Sequence, residues 1–411
     1  MTKKENNLTE ASKVISIEQL KVGMYIKSFS DSSNLSIKSE GYISCEEQIT
    51  QLQNARVTTL VIIPEKQQQT VNLASVLPNI ETINGNKQSA NNKALPISLD
   101  SELKKANHLY KSAKDLQSKI LNQIKQEKSL PAEDIQSTTD AMVDSIFRNQ
   151  DALTCLSRLQ TKDKQLTEHS LNVAILMSVF AKHLNIDKRI IQELTLGAFL
   201  HDIGIVLIPK EILNKKTVLT EKENNIMKSH VALGIKLLEE SPSISYIAIK
   251  MVKEHHERID GSGYPNQLKG DQISKYGRMI AIVNAYDSMT SSRPYKSSVH
   301  PINAFKALIA ESPDVYDEEL VEKFIQCLGV YPVGTLVKLN SGKLGLISKL
   351  NKKKPLHPFV RVFYNTRMNQ AIPIQEINLS ESKYKDQIDR CIKPEEFNIN
   401  LLGFFKAAFI N

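Results

Sequence analysis

Between about Asp151 and Gly329 apolar residues recur every three or four positions almost without a break, and the interruptions, Asn-Lys-Lys, Ser-Pro-Ser and Gly-Ser-Gly-Tyr-Pro, are short. That period predicts a helical domain over residues 151–330. The flanking text has other periods. MYIKSF and TTLVIIP alternate as strands around the helical EEQITQLQNA, with Pro64 closing a small α/β domain over residues 1–66. Residues 67–99 carry a Gln run and NGNKQSANNK, too polar to bury a core, and predict a linker. Two helical patterns, from about Ser101 to Lys128 and from Ala132 to Asn149, break at Pro131 and fill residues 100–150. They offer either a stalk or dimerising pair, or simple packing on the next domain. After Gly329 the runs GTLVKLN, KLGLISKL, FVRVFY and AIPIQEINL predict a small, barrel-like β extension over residues 331–411, with GFFKAAFIN as a tail. The expected fold is multi-domain and mainly α, a helical bundle between two small appendages.

A chain of 411 residues with 41% hydrophobic content can bury such a core. No stretch of 18 or more consecutive apolar residues predicts a membrane span, and the polar start MTKKENNLTE lacks a secretory signal, so the expected location is cytoplasmic. Cys45, Cys155, Cys327 and Cys391 lack paired spacing and read as packing residues. The charge of +8 suits an anionic ligand as well as an ordinary surface, and the run Lys352-Lys353-Lys354 reads as a solvated turn. No aromatic residues interleave it, so nucleic acid is not an expected partner.

Five of the nine histidines, His169, His201, His230, His255 and His256, lie in the helical domain beside acidic or glycine-rich motifs. His169 shares a helix face with Val173, Met177, Phe180 and Leu184, a position that fits a satisfied core histidine or a ligand. His201-Asp202 ends an apolar helix, with Gly204 as an expected stop, and a carboxylate in such surroundings calls for a cation. Thr220 and Glu223 form a capping box for a helix expected to carry His230. His255 and His256 point about 100° apart on one helix, so both serve one centre only if it is wide, as a dinuclear one is. Histidine, His-Asp, histidine and His-His in helices make a mixed N/O donor set suited to Fe, Mn or Zn.

These residues give a strong resemblance. LHDIG at 200–204, HHERIDGSGYP at 255–265 and SMTSSRPYK at 288–296 resemble, in order and spacing, the HD-GYP phosphodiesterases, a branch of the HD metal-hydrolase superfamily that hydrolyses cyclic di-GMP. The outer domains are similar to those of one subgroup. The resemblance implies two divalent ions, Fe or Mn, held by His201, Asp202, His230, His255 and His256, with Asp202 bridging and a shared water attacking phosphorus in line. It places His169 beside the cage and gives His169, His201 and Asp202 catalytic parts. It implies a substrate wall from Gly263, Tyr264 and Pro265, and phosphate contacts from Arg293 and Lys296. Expected partners are cyclic di-GMP, signalling proteins and a second copy of the chain.

Three positions depart from the family pattern: Ile205 replaces a common Lys, Asn284 the last metal-binding Asp, and Gln165 the Glu of three-metal members. Asn284 is thus a weak ligand, with Asp287, one turn on, as a substitute directly or through water. The alternative expectation is a degenerate receptor that binds the nucleotide without cleaving it.

Overall fold

The structure, a computed structural model, describes residues 12–21, 24–29, 41–42, 49, 52–54, 57–64, 97–158, 165–215, 217–291, 298–351, 353–384 and 386–397. Nearly all of the polar linker, Arg293, Lys296 and the tail GFFKAAFIN lie outside them. The chain divides into two units, Met1–Pro78 and Asn79–Asn411.

In the first unit β1 (Lys13–Ser16), β2 (Tyr25–Phe29), β3 (Gly41–Tyr42) and β4 (Thr59–Ile62) form an antiparallel sheet in the order β1-β4-β2-β3. Inward positions Ile15, Ile26, Leu60 and Ile62 gather with Leu20, Ile49, Leu52 and Val57 into its core.

The second unit opens with α1 (Leu99–Lys125) and α2 (Ala132–Ser157). Leu103, Ala106, Ala113, Leu116, Ile120 and Ile124 form a stripe that α1 buries against α2 and α3 (Gln165–His183), so the apolar face meets the simple-packing alternative. The second pattern does not end at Asn149. That residue leaves the helical conformation (φ −157°, ψ 105°), but its side chain donates to the Ile97 carbonyl (2.9 Å) and accepts from the Asp151 amide (3.0 Å), which restarts the helix through Ser157. Glu102 fastens the pair: wholly buried on α1, it takes a two-pronged contact from Arg148 of α2 (2.9 and 2.8 Å) and one from Ser145 (2.8 Å).

Next come α4 (Lys188–Leu200), a 3-10 turn (Ile203–Leu207), α5 (Lys210–Leu213), α6 (Glu221–Lys228), α7 (His230–Glu239), α8 (Tyr246–Glu254), α9 (Lys275–Thr290), α10 (Pro301–Ala310) and α11 (Glu318–Leu328). Asp187, Thr220, Ser245, Ser274 and Asp317 cap the starts of α4, α6, α8, α9 and α11 with their side chains. Phe180, Tyr286, Phe305 and Phe324 pack at centroid distances of 5.1 to 6.5 Å, wedging α9 against α3, α10 and α11. Among the described residues Lys188–Leu207 is long and apolar enough to cross a membrane, but 67% of its apolar window is buried inside the protein.

The C-terminal runs form β5 (Leu336–Leu339), β6 (Lys343–Lys349), β7 (Phe359–Asn365) and β8 (Gln370–Asn378), and β9 (Ile388–Cys391) was not anticipated. They make one antiparallel sheet in the order β8-β7-β6-β5-β9; its outer strands are not paired with each other, so the ladder is open rather than a closed barrel among the described residues. Arg361 of β7 grips Asp100 at the start of α1 (2.6 and 3.0 Å), tying the sheet to the helices. Asn351 accepts from the amides of Lys353 and Lys354 (3.1 Å each), a side-chain-closed turn.

Candidate metal centre

The candidate residues sit mostly at helix ends. His169 lies in the first turn or so of α3, His201 and Asp202 follow α4, His230 opens α7, and His255 and His256 follow α8. The capping box forms as expected, but the helix it starts, α6, stops at Lys228, and His230 begins the next one. Gly204 has a different reason from a helix stop. A Cβ there would lie 2.0 Å from the His230 carbonyl oxygen and 2.5 Å from the Gly234 amide, so a bare backbone brings the His-Asp turn against α7.

Three imidazoles are held the same way. The Nδ1–H groups of His201, His230 and His255 donate to the carbonyls three residues back, Ala198 (2.8 Å), Met227 (2.7 Å) and Val252 (2.6 Å). A carbonyl can only accept, so in the neutral ring the lone pair is on Nε2. These atoms converge on Asp202. Its Oδ2 faces His201 Nε2 (3.3 Å) and His169 Nε2 (3.7 Å); its Oδ1 faces His230 Nε2 (3.4 Å) and His255 Nε2 (3.6 Å). Two donor groups result, one of His169, His201 and Asp202, the other of Asp202, His230, His255 and His256. His230 Nε2 and His255 Nε2 stand 3.4 Å apart, and His201 Nε2 is buried without a hydrogen-bond partner.

Such a gathering of acceptors repels itself unless a cation lies among them. Ligands on one ion at about 2.1 Å stand roughly 3.0 to 3.4 Å apart in octahedral or tetrahedral geometry, close to the separations seen. The donor set therefore fits divalent metal. The protonation tendencies agree. Burial alone would raise the Asp202 carboxyl, but the imidazoles of His201, His230 and His255 outweigh it and hold the group well below the usual carboxylate range. Burial, reinforced by neighbouring imidazoles, lowers His255 to about 4 and His256 well below its ordinary value. For His230 burial is overcome by Asp202, and its value is raised, so a proton competes with metal first at that ring.

His169 donates Nδ1–H to Asp287 Oδ2 (2.6 Å), which also accepts from Ser291 Oγ (3.0 Å). Its Nε2 lies 2.9 Å from Asn284 Oδ1. Asn284 thus stands beside the first donor group, whereas Asp287 belongs to neither group and sits behind the ring as its orienting carboxylate. His169, expected next to the cage, stands within the first of the two donor groups.

The glycine-rich loop folds back on the His-His segment. Tyr264 stacks on His256 (centroids 4.5 Å, 24°), while Pro265 is exposed. Gly263 is buried, and a Cβ on it would meet Arg258 N at 2.4 Å and Glu257 Cα at 2.5 Å; its close approach is to its own chain. Glu257 staples the loop by accepting from the amides of Asn266 (2.7 Å) and Leu268 (3.0 Å), a role the histidine spacing did not announce. Also unanticipated are the α1 contacts behind His169: Lys114 pairs with Glu168, Tyr110 donates to Asn172 (3.3 Å), and Gln117 donates to the Phe199 carbonyl. Ile205 is half-buried in the 3-10 turn, and Gln165 opens α3, its side chain outside the description.

The profile of the HD domain matches residues 154–320, and that of a domain of unknown function, DUF3391, matches residues 12–135. A cyclic di-GMP phosphodiesterase of Pseudomonas aeruginosa is 30% identical over 384 residues, spanning 92% of this chain and 91% of that one. A cyclic di-GMP phosphodiesterase of Thermotoga maritima is 35% identical over 184 residues, 44% of this chain and 50% of that one. Among solved structures, an HDG"Y"P protein from Bdellovibrio bacteriovorus aligns with a TM-score of 0.46 and 17% identity, covering 76% of this chain and 98% of that one. The likeness to the Pseudomonas enzyme runs through nearly its whole length as well as the histidine-bearing helices, and the chain belongs to the HD-GYP family, the HD-domain family of cyclic di-GMP phosphodiesterases.

Proposed function

We propose that this chain is a metal-dependent phosphodiesterase that hydrolyses cyclic di-GMP to linear pGpG and onward to GMP in bacterial second-messenger signalling. The observation that carries the proposal is the convergence of four imidazole Nε2 atoms on the two oxygens of one buried aspartate. Two divalent ions, iron or manganese, suit this set: one with His169, His201, Asp202 Oδ2 and the Asn284 amide oxygen, the other with Asp202 Oδ1, His230, His255 and His256. When bound, they supply Lewis acidity toward the phosphoryl oxygens and a nucleophilic water near neutral pH. The protein's part is to fix the tautomer and aim of the rings, through three backbone carbonyls and Asp287. Tyr264, seated by Gly263, and Pro265 wall the substrate side, and Arg293 and Lys296 are assigned to its phosphates. The activity for which the Pseudomonas and Thermotoga relatives are named supports the substrate. The buried free thiols of Cys155, Cys327 and Cys391 fit a reducing, cytoplasmic setting.

The test is metal analysis of the purified protein joined to assays with cyclic di-GMP and 3'3'-cGAMP, the latter because a 3'3'-cGAMP-specific phosphodiesterase of Vibrio cholerae is 37% identical over 128 residues, 31% of this chain and 24% of that one. Turnover of cyclic di-GMP that vanishes in a His201→Ala, Asp202→Ala double variant supports the proposal. Tight nucleotide binding without product in iron- or manganese-loaded protein replaces it with the receptor alternative. A second expectation concerns Asn284, whose amide adds no charge to the first donor group. Asn284→Asp should raise that site's metal affinity about tenfold, the order expected for one added ionised partner. Equilibrium dialysis showing unchanged occupancy would remove residue 284 from the ligand set.

A further inference from the structure

We propose that Lys228 binds a substrate phosphate at the mouth of the metal centre, an inference that rests on the phosphodiesterase reading above. Lys228 is the last residue of α6, two positions ahead of His230. Its Nζ lies 5.2 Å from the centroid of the Tyr264 ring. That ring stacks on His256 and stands edge-on to His230 at 6.3 Å. Ammonium, phenol ring and imidazole thus cluster beside the donor groups. The Tyr264 ring has both the Lys228 ammonium and the His256 imidazole within reach.

Among the described residues the ammonium has no acidic partner within ion-pair distance. Residues three and four positions away on either side, Asn224, Asn225, Val231 and Ala232, are all uncharged. The nearby Glu223 is occupied by Lys215 (2.7 and 2.6 Å) and by Thr220. Arg258, another cation of this segment, lies over Tyr316 at 4.8 Å and donates to its neighbour's carbonyl. The 3-10 turn packed against α7 contributes only Ile203, Gly204, Ile205, Val206 and Leu207, none of them charged. A half-buried lysine held over an aromatic ring beside a metal centre, without a carboxylate to neutralise it, is suited to an anionic group of the ligand. A cyclic dinucleotide carries two phosphodiesters. With one at the donor groups, the second has a cation waiting on the wall.

The experiment compares wild type, Lys228→Met and Lys228→Arg for metal content and for the KM and kcat of cyclic di-GMP hydrolysis at two ionic strengths. Lys228→Met keeps the stem and removes the charge. It is expected to raise KM about tenfold or more, the size of one lost charge-assisted contact, with kcat within about threefold and metal content unchanged. Lys228→Arg should recover most of the loss, and KM of the Met variant should depend less on salt than that of wild type. An unaltered KM in Lys228→Met, or equal losses in the Met and Arg variants, overturns the inference alone. Wild-type protein that carries its metals but neither cleaves nor binds cyclic di-GMP overturns the phosphodiesterase reading and this one with it.

Discussion

Asp202→Asn is expected to empty both halves of the centre and to lower cyclic di-GMP turnover by about a thousandfold or more, a loss of several kcal/mol of transition-state stabilisation. The size follows from geometry. Each carboxylate oxygen serves a different pair of imidazoles, Oδ2 toward His169 and His201, Oδ1 toward His230 and His255. Asparagine keeps the shape but removes the negative charge shared by both halves, and it turns an N–H group toward one pair of lone pairs where an ion belongs. A merely structural aspartate would tolerate this nearly isosteric change. Metal content and kcat measured on the same preparation decide the matter: an Asn variant that retains both ions and turns over normally would contradict the bridging role.

Arg148→Met should destabilise the helical unit by about 3 kcal/mol at neutral pH, the low end of the cost of leaving a buried charge unpaired. The low end applies because the Arg148 side chain is 38% exposed while Glu102 is wholly buried. Burial pushes the Glu102 carboxyl up, but the hydrogen bonds from Arg148 and Ser145 outweigh it and leave the group below its ordinary value. A depressed carboxylate stabilises the fold fully above its unfolded value and loses that contribution as pH falls through the folded one. Without Arg148 less opposes burial and the Glu102 carboxyl moves up, so the variant loses less than wild type as acid protonates Glu102. The difference between wild type and variant is therefore largest near pH 7 and narrows toward pH 4. Denaturant titrations at the two values test this, and a gap of constant size would show that the pair matters only by packing.

Much of the molecule was legible because local spacing is what helices record. The 3.6-residue period marked residues 151–330 as helical and placed α3, α4 and α8, and the His201-Asp202 pair put donors at a helix end, whereas one expected helix through His230 divides into α6 and α7 and His255 and His256 follow α8 instead of riding on it. What escaped depends on partners remote in the chain. Asp287 looked like a spare ligand because it lies three residues beyond Asn284, yet it meets His169 across 118 positions and from behind. Gly204 looked like a helix stop, while its real constraint is the His230 carbonyl of another helix. Strand β9 was missed because IDRC is short and half charged; it is a strand only through its pairing with β5. Lys228 carried no signal at all in one dimension, since a lysine before a histidine is ordinary until Tyr264 folds over to meet it.

The way His201, His230 and His255 are anchored has an evolutionary side. Their acceptors are main-chain oxygens, which every codon supplies, so no point mutation at residues 198, 227 or 252 can delete them while the helix ends persist. Substitutions around the cage can then accumulate, at positions such as 165, 205 and 284, without the rings losing their aim. Lineages are free to retune charge and ion preference on a fixed frame of nitrogen donors.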